Sequence, residues 1–458
     1  MTEQHLRILQ ISTYDTIGGA EKVASNLFQT YRTRGHGSWL AVGHKLGIDP
    51  NVLLIPKHEI LGRWSRFCRA VHSGLQSLKE PQVRTVSWVS ALTHMIAEPG
   101  KALNRYCGIE DFRFPGTWEL LNLPQHRPDI VHCHNLHGGY FDLRAVPWLS
   151  QQVPVVLTLH DAWLLSGHCA HSLDCERWKT GCGHCPDLTL DPAVRRDATA
   201  YNWRRKHEIF KESKLYIATP SRWLMQKVEQ SMLAPAVMEA RVIPNGIDLS
   251  IFHPADKGAA RAALDIPQGA LAILFTANAF RRNIWKDYQT VRDAIAMTSE
   301  RMNGQGVLFL GLGDDARAEH IGAAEVRFVP YQTDLKAVAS YYQAADVYAH
   351  AARADTFPNT VLEALACGTP VVATAVGGIP EQVEDERTGF LVPAGNARAL
   401  ADRLTLLLSD NKRRQCMGIL AAEAARGRFD LQRQADAYLD WYKELVRQQR
   451  TERLARTN

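Results

Sequence analysis

The chain has 458 residues, 46% of them hydrophobic and 22% charged, and a formal net charge of +5. That length exceeds one ordinary core and favours two or three domains, with the composition of a folded globular protein. No apolar run approaches the ~18 residues that span a bilayer, and the mild charge lacks the concentrated basic stripe that nucleic acid requires.

The N-terminus, MTEQHLRILQIST, leads straight into a strand, so no cleaved leader is expected and the cytoplasm is the expected compartment. A first βα array follows, with strands predicted at Arg7–Ser12, Ser38–Val42, Asn51–Ile55, Asp129–His134, Pro154–His160 and Lys214–Thr219. Gly18, Gly19, Ala20 and Glu21 join the first strand to a helix over Ala20–Arg34 that Gly35 closes. Glycines there let a ligand approach the backbone, and the helix mouth favours an anion; a plain tight turn is the alternative. Leu61–Gln76 sets Arg63, Arg66 and Arg69 beside Trp64, Phe67, Val71 and Leu75. On a helix this is either a face for an anionic membrane surface or a surface helix packed on its own domain.

His160 and Asp161 end a predicted parallel strand, where polar side chains reach a binding cleft. His132, His134 and His137 precede a Gly-Gly turn and are expected to be structural or to line an acceptor site rather than bind metal. Cys169, Cys175, Cys182 and Cys185 follow as C-x5-C-x6-C-x2-C within one loop, with His168, His171 and His184 between them. Four thiols so close in a cytoplasmic protein point to a structural zinc, with free thiols or disulfides as alternatives.

Arg241–Pro254, rich in Pro, Gly and Asn, marks the break before a second array. Its strands are predicted at Leu271–Ala277, Val307–Leu310, Val326–Val329, Asp346–His350, Val371–Ala375 and Phe390–Val392, with a helix over Asp334–Ala345. Alternating strands and helices imply two α/β, doubly wound, Rossmann-like domains with parallel sheets. The expected domains are 1–245 (with the cysteine-rich loop 168–186), 246–428, and a helix in 429–458 that returns to the first domain.

Gly311, Leu312, Gly313 and Ala316 imitate a dinucleotide fingerprint, but Asp314 and Asp315 stand where a pyrophosphate would sit, which argues against NAD. The most informative stretch is Asp355–Thr374, DTFPNTVLEALACGTPVVAT. Pro358 suits a helix's first turn and Gly368 its close. The helix mouth at Thr356, Phe357, Pro358, Asn359 and Thr360 offers unpaired N–H groups to a diphosphate. Glu363, seven residues beyond Asp355, can accept from ribose hydroxyls. The last helix, Leu431–Arg447, carries Tyr438, Trp441, Tyr442 and Leu445 on one face.

Asp355–Thr374 resembles the nucleotide-sugar signature of retaining glycosyltransferases of family 4, which read Glu, seven residues, Glu, then Ala-x-Ala-x-Gly-x-Pro-Val. Here the first acid is Asp355, one methylene shorter. His132–Leu149, Thr158–Pro186 and FPGTWELL (Phe114–Leu121) resemble a bacterial subgroup that builds capsule, exopolysaccharide or colanic-acid-type polymers. The resemblance implies the GT-B fold, two Rossmann-like domains facing a central cleft. It places His160 near the donor sugar, Arg281 and Lys286 of AFRRNIWKD against the leaving diphosphate (Arg282 is a substitute in register), Asp355 at the sugar and Glu363 at the ribose. Gly18 and Gly19 match the family's first loop. It further implies a nucleoside diphosphate sugar donor, a glycan or lipid-linked acceptor reached at the inner membrane face, and transfer with retention. No divalent cation is required at the reaction centre. A nucleotide-sugar 2-epimerase of the same fold and a non-catalytic nucleotide-sugar-binding scaffold are the rival readings.

Overall fold

A computed structural model describes residues 5–57, 99–302 and 305–457. The arginine-rich segment Leu61–Gln76 lies outside the described residues. The chain forms two compact units, one of Met1–Ile217, Gln226–Ala240 and Leu445–Asn458, the other of Ala218–Met225 and Arg241–Glu444.

The first sheet runs β3-β2-β1-β4-β5-β6-β7. Its strands are β1 (Arg7–Tyr14), β2 (Gly37–His44), β3 (Val52–Leu54), β4 (Ile130–Cys133), β5 (Val155–Thr158), β6 (Leu215–Thr219) and β7 (Val237–Val242). β1 pairs in parallel with β2 on one side and β4 on the other. Strand order therefore reverses between β1 and β4, and the carboxyl ends there open the crevice in which such sheets take ligands. Gly18 follows β1, His134 and His137 follow β4, and His160 and Asp161 follow β5.

The second sheet runs β10-β11-β9-β8-β12-β13-β14. Its strands are β8 (Leu271–Thr276), β9 (Val307–Leu312), β10 (Glu319–Ile321), β11 (Ala324–Val329), β12 (Val347–His350), β13 (Val371–Thr374) and β14 (Gly389–Val392). Its reversal lies between β8 and β12, parallel neighbours with Val347 opposite Ile273. The apolar runs explain why both faces are covered. Leu274, Leu308, Leu310, Tyr348 and Val371 pack on one side, and Ile273, Phe275, Phe309, Val347 and Val372 on the other. With both faces of the sheet covered, the loops past the strand ends are where chemistry can be placed.

Two strands escape the sequence reading. β7, VMEARV, alternates half-buried and exposed residues rather than showing a buried run. β10 has three residues and pairs antiparallel with β11, so the second sheet is mixed, not wholly parallel. Helices form where expected: Gly19–Thr33 is followed by Gly35 at φ 80°, and Asp334 caps Leu335–Ala344 by accepting from the Lys336 N–H. Tyr438, Trp441, Tyr442 and Leu445 are all fully buried on the helix Leu431–Thr457. No described helix is long and apolar enough to cross a membrane.

Candidate active site

In the second unit the loop after β8 is zipped to the segment after β12. The Asp287 N–H donates to the Ala351 carbonyl at 3.1 Å and the Arg353 N–H to the Trp285 carbonyl at 2.9 Å. This holds the Lys286 ammonium 2.5 Å from the Asp355 carboxylate. His350, at the end of β12 and fully buried, approaches both, with Nε2 3.5 Å from Lys286 Nζ and 3.6 Å from Asp355 Oδ2. Its Nδ1 lies 3.0 Å from the Tyr348 hydroxyl. Burial pushes the Asp355 carboxyl up, but Lys286, with His350, outweighs it and holds the group well below the usual carboxylate range. Burial, with Lys286 beside it, lowers His350 to about 4, so the ring is neutral at pH 7.

The helix Asn359–Ala366 starts beside this pair, with Pro358 as its N-cap residue (φ −63°, ψ 124°) rather than inside its first turn. No side chain caps it, and the Val361 N–H donates to the Pro358 carbonyl at 3.2 Å; the mouth carries the partial positive charge of a helix N-terminus. Three contacts hold the mouth in place. Asn245 Nδ2 donates to Asn359 Oδ1 at 3.1 Å, Gln382 Nε2 to the Pro358 carbonyl at 3.0 Å, and the Gly378 N–H to the Asp355 carbonyl at 3.4 Å. Gly377 sits at φ 56°, where a Cβ would run into the Asp355 carbonyl oxygen. The Gly377-Gly378 turn therefore needs glycine for two reasons, conformation and close approach. Farther along the helix Glu363 is buried, and its Oε2 accepts from the Tyr342 hydroxyl at 2.8 Å.

Arg281 is not in this cluster. Its guanidinium is 3.1 Å from Asp314 and 5.1 Å from the Phe328 ring centre. The glycines that imitate a dinucleotide fingerprint have a packing reason, since a Cβ on Gly311 would strike the Phe280 ring. Asp314 is spent on Arg281.

In the first unit, His160 Nε2 lies 3.0 Å from His134 Nδ1, and Asp161 pairs with His137 at 2.8 Å. Burial pushes the Asp161 carboxyl up, but His137 draws it down to about 2. At Gly18 (φ 107°) the Glu21 carboxylate occupies the space a Cβ would take. Glu21 is itself buried, which raises its pKa. A Cβ built on Gly19 would meet open space.

Cys169, Cys175, Cys182 and Cys185 are free thiols. Cys182 accepts from the Gly167 N–H at 3.3 Å, Cys185 lies 3.3 Å from His168 Nε2, and burial pushes the Cys182 thiol up to about 12. Among the described residues no three His, Cys, Asp or Glu side chains are grouped to hold a metal ion. As placed, these thiols are not a ligand set.

The residue pattern picks out Asp355, Asn359 and Glu363, and the family resemblance adds Lys286. Both miss His350, Tyr342, Asn245 and Gly377, which reach the site only through the fold. The Val376-Gly377-Gly378-Ile379 turn after β13 is the one signal that was available.

Residues 17–251 match the family model "Glycosyltransferase Family 4" and residues 257–423 the model "Glycosyl transferases group 1". The chain is 31% identical to a D-inositol 3-phosphate glycosyltransferase of Mycobacteroides abscessus, over 75% of this chain and 72% of that one. It is 25% identical to WcaC, an Escherichia coli K12 glycosyl transferase assigned to colanic acid biosynthesis, over 69% of this chain and 77% of that one. Several other D-inositol 3-phosphate glycosyltransferases are matched over only about half their length. Among solved structures, Anabaena Alr3699/HepE in complex with UDP and glucose superposes with a TM-score of 0.61 at 17% identity, covering 96% of this chain and all of that one.

Proposed function

We propose that this chain, which belongs to glycosyltransferase family 4, moves a sugar from a nucleoside diphosphate to a growing surface polysaccharide, with retention of configuration. The observation that carries the reading is the convergence, at the strand-order reversal of the second sheet, of Lys286, Asp355, the uncapped helix mouth at Asn359 and the buried Glu363. Breaking a glycosidic bond to a diphosphate builds negative charge on phosphate oxygens. A lysine and a helix dipole already in position lower that barrier without reorganising. Glu363, held by Tyr342, is placed to receive ribose hydroxyls. Lys286 would leave Asp355 for the diphosphate, freeing the carboxylate for a sugar hydroxyl. Arg281, on release from Asp314, or Arg282 beside it, would add a second cation. A phosphate oxygen would take the proton of the attacking hydroxyl, which arrives on the face the leaving group departs from. No divalent cation enters this scheme.

The acceptor is the finer question. The likeness to WcaC supports a lipid-linked glycan, and the likeness to D-inositol 3-phosphate glycosyltransferases supports a soluble phosphorylated cyclitol. The sequence blocks His132–Leu149 and Thr158–Pro186 favour the first. Release of nucleoside diphosphate should accelerate with a lipid-diphosphate-linked glycan and leave an α- or β-linkage matching the donor. Acceleration by inositol phosphate alone would select the second, and an inverted product would refute retention. The membrane part of the reading rests on Arg63, Arg66 and Arg69. The chain should sediment with anionic vesicles in low salt, and an Arg63/Arg66/Arg69→Glu variant should not; equal binding to neutral vesicles ends that claim.

A further inference from the structure

One face of the first sheet is polar where a parallel sheet is ordinarily apolar. Side chains alternate along a strand, so Gln10 and Ser12 of β1 share a face with His132 of β4, directly opposite Gln10, and His134 follows just past the end of β4, its N–H donating to the Ile11 carbonyl at 2.9 Å. Thr158 ends β5, and His160 lies two residues beyond it. Gln10, Ser12, His132, His134 and Thr158 are all at most 1% exposed. Burying this stripe costs free energy that an aliphatic face would not, so its bonding pattern carries information. His132 Nε2 lies 2.6 Å from the Thr158 hydroxyl, His134 Nε2 3.0 Å from Gln10 Oε1, and His134 Nδ1 3.0 Å from His160 Nε2.

We propose that Gln10 and His134 are positioning residues that order the protons of His160. They present it as a neutral ring with Nε2–H turned to His134 and Nδ1 free to accept from a neutral hydroxyl of the donor sugar. The proposal rests on the reading that places His160 at the donor site. An amide oxygen only accepts, so Nε2 of His134 carries the hydrogen that bonds Gln10. A neutral imidazole has one N–H, so Nδ1 of His134 must accept, and the donor to it is Nε2–H of His160. The remaining nitrogen of His160 is then a bare lone pair, which welcomes a hydroxyl and repels a phosphate oxygen.

Neutrality is supported by the surroundings. Burial lowers His160 to about 4, with Asp161 opposing and His137 assisting, and burial beside His132 and His160 holds His134 well below its ordinary value. With the Gln10 amide turned over, an N–H would face His134 and every proton in the chain would reverse. His160 would then offer Nδ1–H, a donor suited to phosphate. Gln10, itself fully buried, thus decides which ligand atom His160 can meet.

The test uses the full chain with 15N-labelled histidine, His160 being assigned from the resonance lost in His160→Gln. Long-range 1H–15N correlations should show His134 and His160 both as Nε2–H tautomers at pH 7. Gln10→Met, which fills the space without bonding, should leave His160 as a mixture. Nδ1–H at His160 in the wild type overturns the proposal, even if Gln10→Met fails to fold, and so does a tautomer that Gln10→Met leaves unchanged. Turnover then separates this inference from the reading beneath it. Gln10→Met should lower kcat roughly tenfold with little change in KM, and should cost nothing further in a His160→Ala background. Additive losses refute the relay while leaving His160 in the site. A silent His160→Ala removes His160 from the site and the role of Gln10 with it.

Discussion

Lys286 and Asp355 are tied to one another in the free protein, so each is held ready rather than already engaged. Lys286→Ala should depress turnover by on the order of 10²-fold and weaken donor binding less, as steady-state kinetics would read. Arg281→Ala and Arg282→Ala are to be compared directly. If only the second is crippled, Arg281 belongs to Asp314 and the diphosphate belongs to Arg282. Glu363→Ala should cost ~1.5–3 kcal/mol of donor affinity by calorimetry, and Tyr342→Phe, which removes one hydrogen bond to that carboxylate, ~0.5–1.5 kcal/mol. Unchanged affinity in Glu363→Ala would take the ribose role from it.

The His137–Asp161 pair makes a prediction in pH. Burial opposes a charge on His137, but Asp161 overcomes it and raises the folded-state pKa. That contribution is complete below the unfolded value of about 6.5 and is lost as pH rises through the raised one. Asp161, lowered to about 2, contributes above its unfolded value of about 3.9 and loses this as pH falls towards the folded one. The destabilisation of His137→Gln, read from urea midpoints, should therefore be largest between about pH 4 and 6.5. A penalty that grows above pH 7 would contradict the pairing.

Among the elements, those with strong local patterns were legible and those made by their neighbours were not. The runs in β8, β9 and β13 are apolar almost throughout because both faces are buried, and they read as strands at once. β7 takes its conformation from the sheet edge it lies on, and no buried run marks it. The helix Asn359–Ala366 declared itself through Pro358 and Gly368, but its mouth is held by Asn245, Gln382 and Gly378, distant in sequence, so no local rule could find them. At the first glycine loop the Glu21 carboxylate lies where a Cβ on Gly18 would go, a contact that spacing alone does not show.

The cysteine loop is the element for which the sequence left most open, with zinc, free thiols and disulfides as alternatives. Its thiols are free and do not converge as ligands, so a structural zinc stands only as a proposal from composition. Freshly purified, reduced protein should carry about one equivalent of zinc, and a chelator should loosen the segment from Cys169 to Cys185 first. Elemental analysis that finds no metal would leave the loop held by its hydrogen bonds, such as those of Gly167 to Cys182 and Gly183 to Thr199.

At the scale of the whole molecule, each unit has its own sheet and its own reversal of strand order, and chemistry-bearing side chains gather at both. The second unit holds cations, a helix mouth and a buried carboxylate, the parts a nucleoside diphosphate needs. The first holds neutral and paired histidines suited to hydroxyl groups. The central claim, that a nucleoside diphosphate sugar is the donor, is tested most directly by the melting temperature of the wild type and of Lys286→Ala against a panel of nucleotide sugars. One donor should raise the wild-type melting point strongly, as expected when a ligand binds only the folded state at concentrations far above its Kd, and the variant should respond much less. A panel in which no nucleotide sugar stabilises the wild type, or in which Lys286→Ala responds equally, would contradict the account.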